Sequence, residues 1–124
     1  MCRSCFWELL SPFNAWLIAR GASTLPLRLK AHQAGAQAVA TWLEQQPAVT
    51  RVIYPGLPSH PQYDLAQAQM TNTSGMLSFQ VGGVANAERI ARAMIDKLRI
   101  IHYAVSLGHH RSLIFWMETK GLME

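Results

Sequence analysis

Charge is scarce in this sequence: Asp, Glu, Lys and Arg make up only 15% of its 124 residues, against about a quarter in an ordinary soluble chain. Half of the residues are hydrophobic. That balance excludes a disordered, collagen-like or low-complexity polypeptide. It also leads us to expect that some apolar surface faces another chain or a further domain. Cysteine is nearly absent. Cys2 and Cys5 lie at the extreme N-terminus, so they cannot staple distant parts of a fold, and nothing demands an oxidising compartment. A Cys-x-x-Cys redox motif needs a strand before it and a helix after it, and a zinc site needs two further ligands nearby. We therefore read incidental thiols and a cytoplasmic protein. Long apolar runs are missing too. The longest uncharged stretch, Leu65–Ala87, is rich in Gln, Asn, Thr and Gly, unlike a membrane span of about 20 apolar residues. Glu8 and Pro12 interrupt any signal-peptide core.

The net charge is +4 and the pI is near 9.5. A basic balance can mark a nucleic-acid binder, but that function needs clustered cations. Here the eleven Lys and Arg are scattered with no run of three. Nucleic-acid and membrane partners are not expected. The length suits one domain, able to bury roughly two-thirds of its unfolded surface.

Local signals give an element order. Ser11-Pro12 is a helix start, with a capping oxygen followed by a residue whose missing N–H is not needed. Phe13, Trp16 and Leu17 share its apolar face, and Gly21 suits its end. Ser23 or Thr24 opens a longer helix with Pro26 in its first turn. Ala31, Ala34, Ala38, Val39, Trp42 and Leu43 form its expected inner stripe, and Pro47 closes it. Val49–Tyr54 reads as a strand and Pro55-Gly56-Leu57-Pro58 as a stiff loop. Ser59-x-x-Gln62 resembles a capping box for a short helix through Met70. Gly75–Val81 alternates as a strand, and Gly82-Gly83 turns the chain. Asn86 is placed to cap a helix whose Ile90, Ala91, Met94, Ile95 and Leu98 face inward, with Glu88–Arg92 and Arg92–Asp96 pairs outside. Ile100–Val105 and Ser112–Met117 read as strands around a loop at Leu107–Arg111. The expectation is an α+β fold, a sheet with helices on one face. Both ends of the sequence are abrupt, which we read as an obligately partnered domain or a piece of something longer.

Candidate chemistry is thin. His109 and His110 are adjacent and point to opposite faces in an extended chain, so one ion cannot easily take both. His32, His60 and His102 have no chelating spacing, and no metal site is expected. Gly82-Gly83 before a helix is read as a plain turn rather than an anion site. Lys30, Lys97 and Lys120 lie on polar faces or near the end, unlike a desolvated nucleophile. No self-sufficient catalytic set is present.

Several separated motifs nevertheless resemble one family. They are Ser11-Pro12-Phe13-Asn14-Ala15-Trp16-Leu17, Arg20-Gly21, Thr24-Leu25 and Arg28, then Tyr54-Pro55-Gly56-Leu57-Pro58-Ser59-His60-Pro61. Gly75-Met76-Leu77-Ser78-Phe79, Ser106-Leu107-Gly108 and Ser112-Leu113 follow in order. Over roughly residues 10–117 the sequence is similar to the Cys/Met-metabolism pyridoxal-phosphate enzymes: methionine γ-lyase, cystathionine γ-lyase, cystathionine γ-synthase and their relatives. The resemblance implies part of a fold-type I enzyme truncated at both ends. Residues 1–9 do not match, 10–46 form a helical connection from the cofactor domain, and 47–124 form an incomplete small C-terminal α+β domain. It implies pyridoxal phosphate as cofactor, bound through a lysine upstream of Ser11. It also implies a carboxylate-binding arginine downstream of Glu124, and tetramers built from dimers. The parent activity implied is elimination or replacement at the C–S bond of a sulfur amino acid, with this chain inactive alone and contributing no catalytic or cofactor-binding residue. Ser106 corresponds to the family residue that contacts the substrate carboxylate, with Leu107 beside it. His109, His110 and Arg111 stand where the family usually has Gly and an acidic residue. Val105 is apolar, as in methionine γ-lyase-like members, a pointer to γ-elimination from a simple thioether. The competing reading is a stand-alone, non-catalytic assembly or binding module derived from that fold.

Overall fold

The computed structural model describes residues 10–82, 87–108 and 110–117. Cys2, Cys5, Gly83, Asn86, His109 and Lys120 lie outside the described residues. Four helices and four strands follow the order α1 (Pro12–Ala22), α2 (Leu25–Glu44), β1 (Val49–Ile53), α3 (Tyr63–Gln69), β2 (Ser78–Val81), α4 (Ala87–Lys97), β3 (His102–Tyr103) and β4 (Leu113–Ile114). The element order is the expected one, and the fold is α+β. Contacts divide the chain into two compact units, one of residues 1–42 and 53–77, the other of residues 43–52 and 78–124.

In the first unit, Ser11 caps α1: its Oγ accepts from the Asn14 N–H at 3.2 Å. The helix does not stop at Gly21. It runs to Ala22, and the Ser23 N–H returns to the Ala19 carbonyl at 3.2 Å. Arg28 then braces the junction, donating from Nη2 to the Gly21 carbonyl (2.9 Å) and from Nε to Thr24 Oγ1 (3.3 Å). This supplies a partner to a helix-end carbonyl that has none within its own helix.

The buried face of α2 is not the expected one. Ala36, Ala40 and Leu43 are buried, while Ala31, Ala34, Ala38, Val39 and Trp42 are exposed. Ala36 and Ala40 lie two positions from Ala34 and Ala38, about 200° around the helix. The sequence carries small residues on both faces, so periodicity alone does not choose between them. The choice is made by what docks on the helix. Asn72 Nδ2 donates to the Leu29 carbonyl at 3.2 Å, and Gly56 and Gly75 close on Gln37 and His32.

Tyr54 is the fully buried side chain at the centre of this unit. Its hydroxyl donates to the Ser74 carbonyl at 3.0 Å and lies 2.9 Å from Thr73 Oγ1, whose proton it therefore accepts. Thr73 is only 5% exposed. Ser74 has φ +63°, a left-handed conformation that serine rarely adopts. It is held there by the Tyr54 bond, by donation from its own N–H to Asn72 Oδ1 (2.8 Å), and by its Oγ accepting from the Met76 N–H (3.2 Å). From Tyr54 a chain of turns leads to α3: Leu57, His60 and Tyr63 each donate to the carbonyl three residues back at 3.0 Å. The expected capping box does not form. Gln62 occupies the cap position and makes no side-chain cap bond, so α3 begins at Tyr63. The Gln62 N–H that a Ser59 cap would need donates instead to His60 Nδ1 at 3.2 Å.

In the second unit, β1 and β2 pair, with Gly82 N–H donating to the Ala48 carbonyl at 3.0 Å. α4 packs on β2. Val81 and Ala91 are buried, and Ile90, Met94, Ile95 and Leu98 are half-buried on the expected inner face. Gly82 has φ +70°, a conformation that favours glycine, and an added Cβ would lie 2.8 Å from Ile90 Cδ1, the end of a side chain that would have to shift. Arg92 pairs with Glu88 at 2.9 Å on the wet side, rather than with Asp96. All four strands are shorter than their sequence signals, and among the described residues they form two separate pairs, β1–β2 and β3–β4. The apolar runs around β3 and β4 stay largely exposed, among them Ile100, Tyr103, Val105, Leu107, Phe115 and Met117. No helix among the described residues is long and apolar enough to cross a membrane.

Candidate site on the β3–β4 loop

The motif Ser106-Leu107-Gly108 lies in the connection between β3 and β4. These strands are parallel, with His102 opposite Leu113 and Tyr103 opposite Ile114. The His102 N–H donates to the Ser112 carbonyl (3.1 Å), and the Ala104 N–H donates to the Ile114 carbonyl (3.2 Å). The Tyr103 and Phe115 rings stack at 6.1 Å across the pair, a tilted arrangement that aromatic quadrupoles favour. The segment between these anchors is therefore pinned at both ends.

Within it, Val105 and Leu107 are 76% and 75% exposed, flanking an exposed Ser106. All three side chains are open to solvent. The Ser106 hydroxyl has no protein hydrogen-bond partner among the described residues. Gly108 has φ +69°, and nothing lies within 4 Å of a Cβ placed on it. Glycine is needed there for the backbone bend alone, which redirects the chain after Leu107. His110 and Arg111 follow on the same loop and are also exposed.

The other sequence candidates are not assembled into a site. His32 packs against Gly75. His60 uses Nδ1 to accept from the Gln62 N–H at 3.2 Å and borders an open cleft with Pro55, Leu65 and Met70. His102 lies exposed on β3, and among the described residues no three His, Cys, Asp or Glu side chains come together. Lys30 and Lys97 lie exposed on α2 and α4. An imine-forming amine needs a water-excluding pocket, and neither lysine has one. The described residues do not fit the role of cofactor anchor.

Sequence reasoning did not single out the Tyr54–Thr73–Ser74 network. Its only advance signal was the Pro-Gly turn following a strand. The network is structural, holding the segment Thr71–Gly75 on α2.

A family model described as Cys/Met metabolism PLP-dependent enzyme matches residues 4–122. The chain is 46% identical over 105 residues to O-succinylhomoserine sulfhydrylase of Pseudomonas aeruginosa, covering 85% of this chain and 25% of that protein. It is 45% identical to L-methionine gamma-lyase of Porphyromonas gingivalis, covering 85% and 26%. Among solved structures, cystathionine gamma synthase of Xanthomonas oryzae pv. oryzae, in complex with aminoacrylate and cysteine, superposes with a TM-score of 0.74 at 42% identity, covering 85% and 26%. The chain spans about a quarter of the length of the relatives it matches.

Proposed function

Since the chain belongs to the Cys/Met metabolism PLP-dependent enzymes, we propose that it serves in a sulfur amino acid lyase or transferase as the wall that receives the substrate. The reaction is elimination or replacement at the C–S bond, of methionine γ-lyase or cystathionine γ-synthase/lyase type. Pyridoxal phosphate is the cofactor of the complete enzyme. The lysine that anchors it and the arginine that clamps the substrate carboxylate come from outside these 124 residues, so the chain is inactive by itself. The enzyme is a cytoplasmic homo-oligomer.

The observation that carries this reading is the pinned, exposed Ser106 between Val105 and Leu107. Ser106 Oγ–H donates to the substrate carboxylate, a charge-assisted bond stronger than a neutral one. Leu107 covers the apolar part of the amino acid and keeps water off it. Ser106 orients and does not react: a serine needs an adjacent base to become a nucleophile, and the described residues bring none within hydrogen-bonding distance of it.

The test combines the purified chain with pyridoxal phosphate and reduces the mixture with borohydride. Peptide mass spectrometry should find no stoichiometric adduct on any lysine, and the chain should not turn over methionine, cystathionine or an acylated homoserine. A single lysine reduced in full, or turnover of any of the three, refutes the assignment. A second reading, a non-catalytic assembly module, draws on α1. None of its residues is buried, and Phe13, Trp16 and Ile18 are 65%, 55% and 61% exposed. It predicts that the chain binds a catalytic subunit and that Ser106 substitutions change nothing.

A further inference from the structure

Helix α1 turns its apolar face away from its own unit. Only Ala15 among its eleven residues is less than fully exposed, and none is buried. At about 100° per residue, Phe13, Trp16, Leu17 and Arg20 share an arc of about 100°, and Ala15 lies on the far side of the helix. A surface helix normally turns its large apolar residues to the core. Here a small alanine is the sheltered residue, while Phe13, Trp16 and Leu17 are 65%, 55% and 44% exposed. The outward face is also held in order. The Phe13 and Trp16 rings lie 5.9 Å apart, and the Arg20 guanidinium sits over the Trp16 ring at 5.6 Å. Side chains fixed before binding lose less entropy when a partner arrives.

From this face we infer that two copies of the chain pair through α1, antiparallel about a two-fold axis between Trp16 and Leu17. A two-fold contact is self-complementary, so every contact occurs twice. With the axis there, Trp16 of one copy meets Leu17 of the other, and Arg20 of one copy meets the Phe13 ring of the other. Charge singles out this occupant. α1 carries one charged residue, Arg20, and no acid. The antiparallel register gives each guanidinium an aromatic face, which cations favour. It keeps the two Arg20 residues about 10 Å apart along the axis, seven residues at about 1.5 Å each. A lipid surface fits less well, because helices that lie on membranes carry many Lys and Arg. Size sets the strength. A buried aromatic side chain contributes about 150–250 Å², so Phe13, Trp16 and Leu17 together offer roughly 300–400 Å² per copy at the exposures above. The pair stays below about 1,200 Å² in total, the low end for specific interfaces. The dimer is therefore weak, with a Kd on the order of 10–100 µM. None of this involves Ser106, so the pairing stands apart from the reading of that loop.

Sedimentation equilibrium of the purified chain from about 1 to about 500 µM tests the pairing. We expect a monomer–dimer equilibrium that does not weaken as salt is raised, since the face holds no ion pair. Trp16→Asp should weaken it at least about ten-fold with an unchanged circular dichroism spectrum, because Trp16 is exposed in the monomer. Ile18→Ser, exposed but off the arc, should leave the equilibrium as it is. Phe13→Glu should still pair, but in a salt-sensitive way, since each new carboxylate meets Arg20 of the other copy. A chain that stays monomeric throughout overturns the inference and leaves the face to a different protein, such as a catalytic subunit. A dimer that survives Trp16→Asp overturns it by placing the contact elsewhere. A Phe13→Glu chain that no longer pairs, or pairs independently of salt, overturns it as well. Binding of a monomeric chain to phosphatidylserine–phosphatidylcholine vesicles, lost in Trp16→Asp, overturns it in favour of a lipid surface.

Discussion

Gly56→Ala tests whether the first unit is organised as described. An alanine Cβ at this position would meet Gln37 Oε1 at 2.5 Å, Tyr54 Cε1 at 2.6 Å and Thr73 Oγ1 at 3.1 Å. Gln37 presents the end of a flexible side chain and can swing away. Tyr54 cannot: its ring is fully buried and its hydroxyl is tied to Thr73 and Ser74. Something in that network must shift, and overpacking of this kind costs about 1–3 kcal/mol. Against it, replacing glycine restricts the unfolded chain and returns about 0.4–1 kcal/mol. The net expectation is a loss of about 1–2 kcal/mol, or about 4–8 °C in Tm for a domain of this size. Gly35→Ala is the matched control. Gly35 lies inside α2 with nothing within 4 Å of an added Cβ. There the same substitution should raise stability by about 0.5–1 kcal/mol, because glycine is a poor helix former. Urea denaturation monitored by circular dichroism measures both. A Gly56→Ala variant as stable as the parent, or one that moves in the same direction as Gly35→Ala, would show that the close approach of the Pro-Gly turn to α2 is not as tight as described.

Three further outcomes follow from the same structure. Tyr54→Phe removes the donor to the Ser74 carbonyl and the acceptor for the buried Thr73 hydroxyl; it should cost about 1–3 kcal/mol in urea denaturation, and adding Thr73→Val should recover part of that loss. Gly82→Ala places a side chain at φ +70° against Ile90, and should cost about 1–3 kcal/mol, detectable as faster hydrogen exchange in β2 and α4; unchanged protection would contradict the account of that turn. Ser106→Ala in the complete enzyme should raise KM about ten-fold with kcat within about two-fold, the pattern for an interaction shared by bound substrate and transition state; an unchanged KM would remove Ser106 from the substrate site.

Much of the fold was legible from the residues because local chemistry was unambiguous. Ser11-Pro12 both caps and starts α1, since the hydroxyl and the absent N–H act within one turn. The alternation of Leu77, Phe79 and Val81 marks β2, and the Ile90–Leu98 spacing marks the inner face of α4. The loop carrying Ser106 could be placed by its motif between β3 and β4. What could not be read were features that depend on competing or distant partners. The Ser59–Gln62 capping pattern is present, yet the Gln62 N–H it would need is taken by His60 Nδ1, and Gln62 itself becomes the cap residue. The lengths of β3 and β4 depend on each other's register, which no local window contains.

The sequence alone determined which segments are helical and which extended, and the order of motifs that marks the family, because those properties lie in a few consecutive residues. Only the tertiary structure decided which face of α2 is inside. Alanines line both sides of that helix. The Gly56 turn, the Asn72 amide and the Gly75 backbone select the His32–Ala36–Ala40 side by close approach and by a hydrogen bond to the Leu29 carbonyl. Hydrophobic periodicity measures how apolar a face is, whereas burial depends on the shape and polar groups of what packs against it.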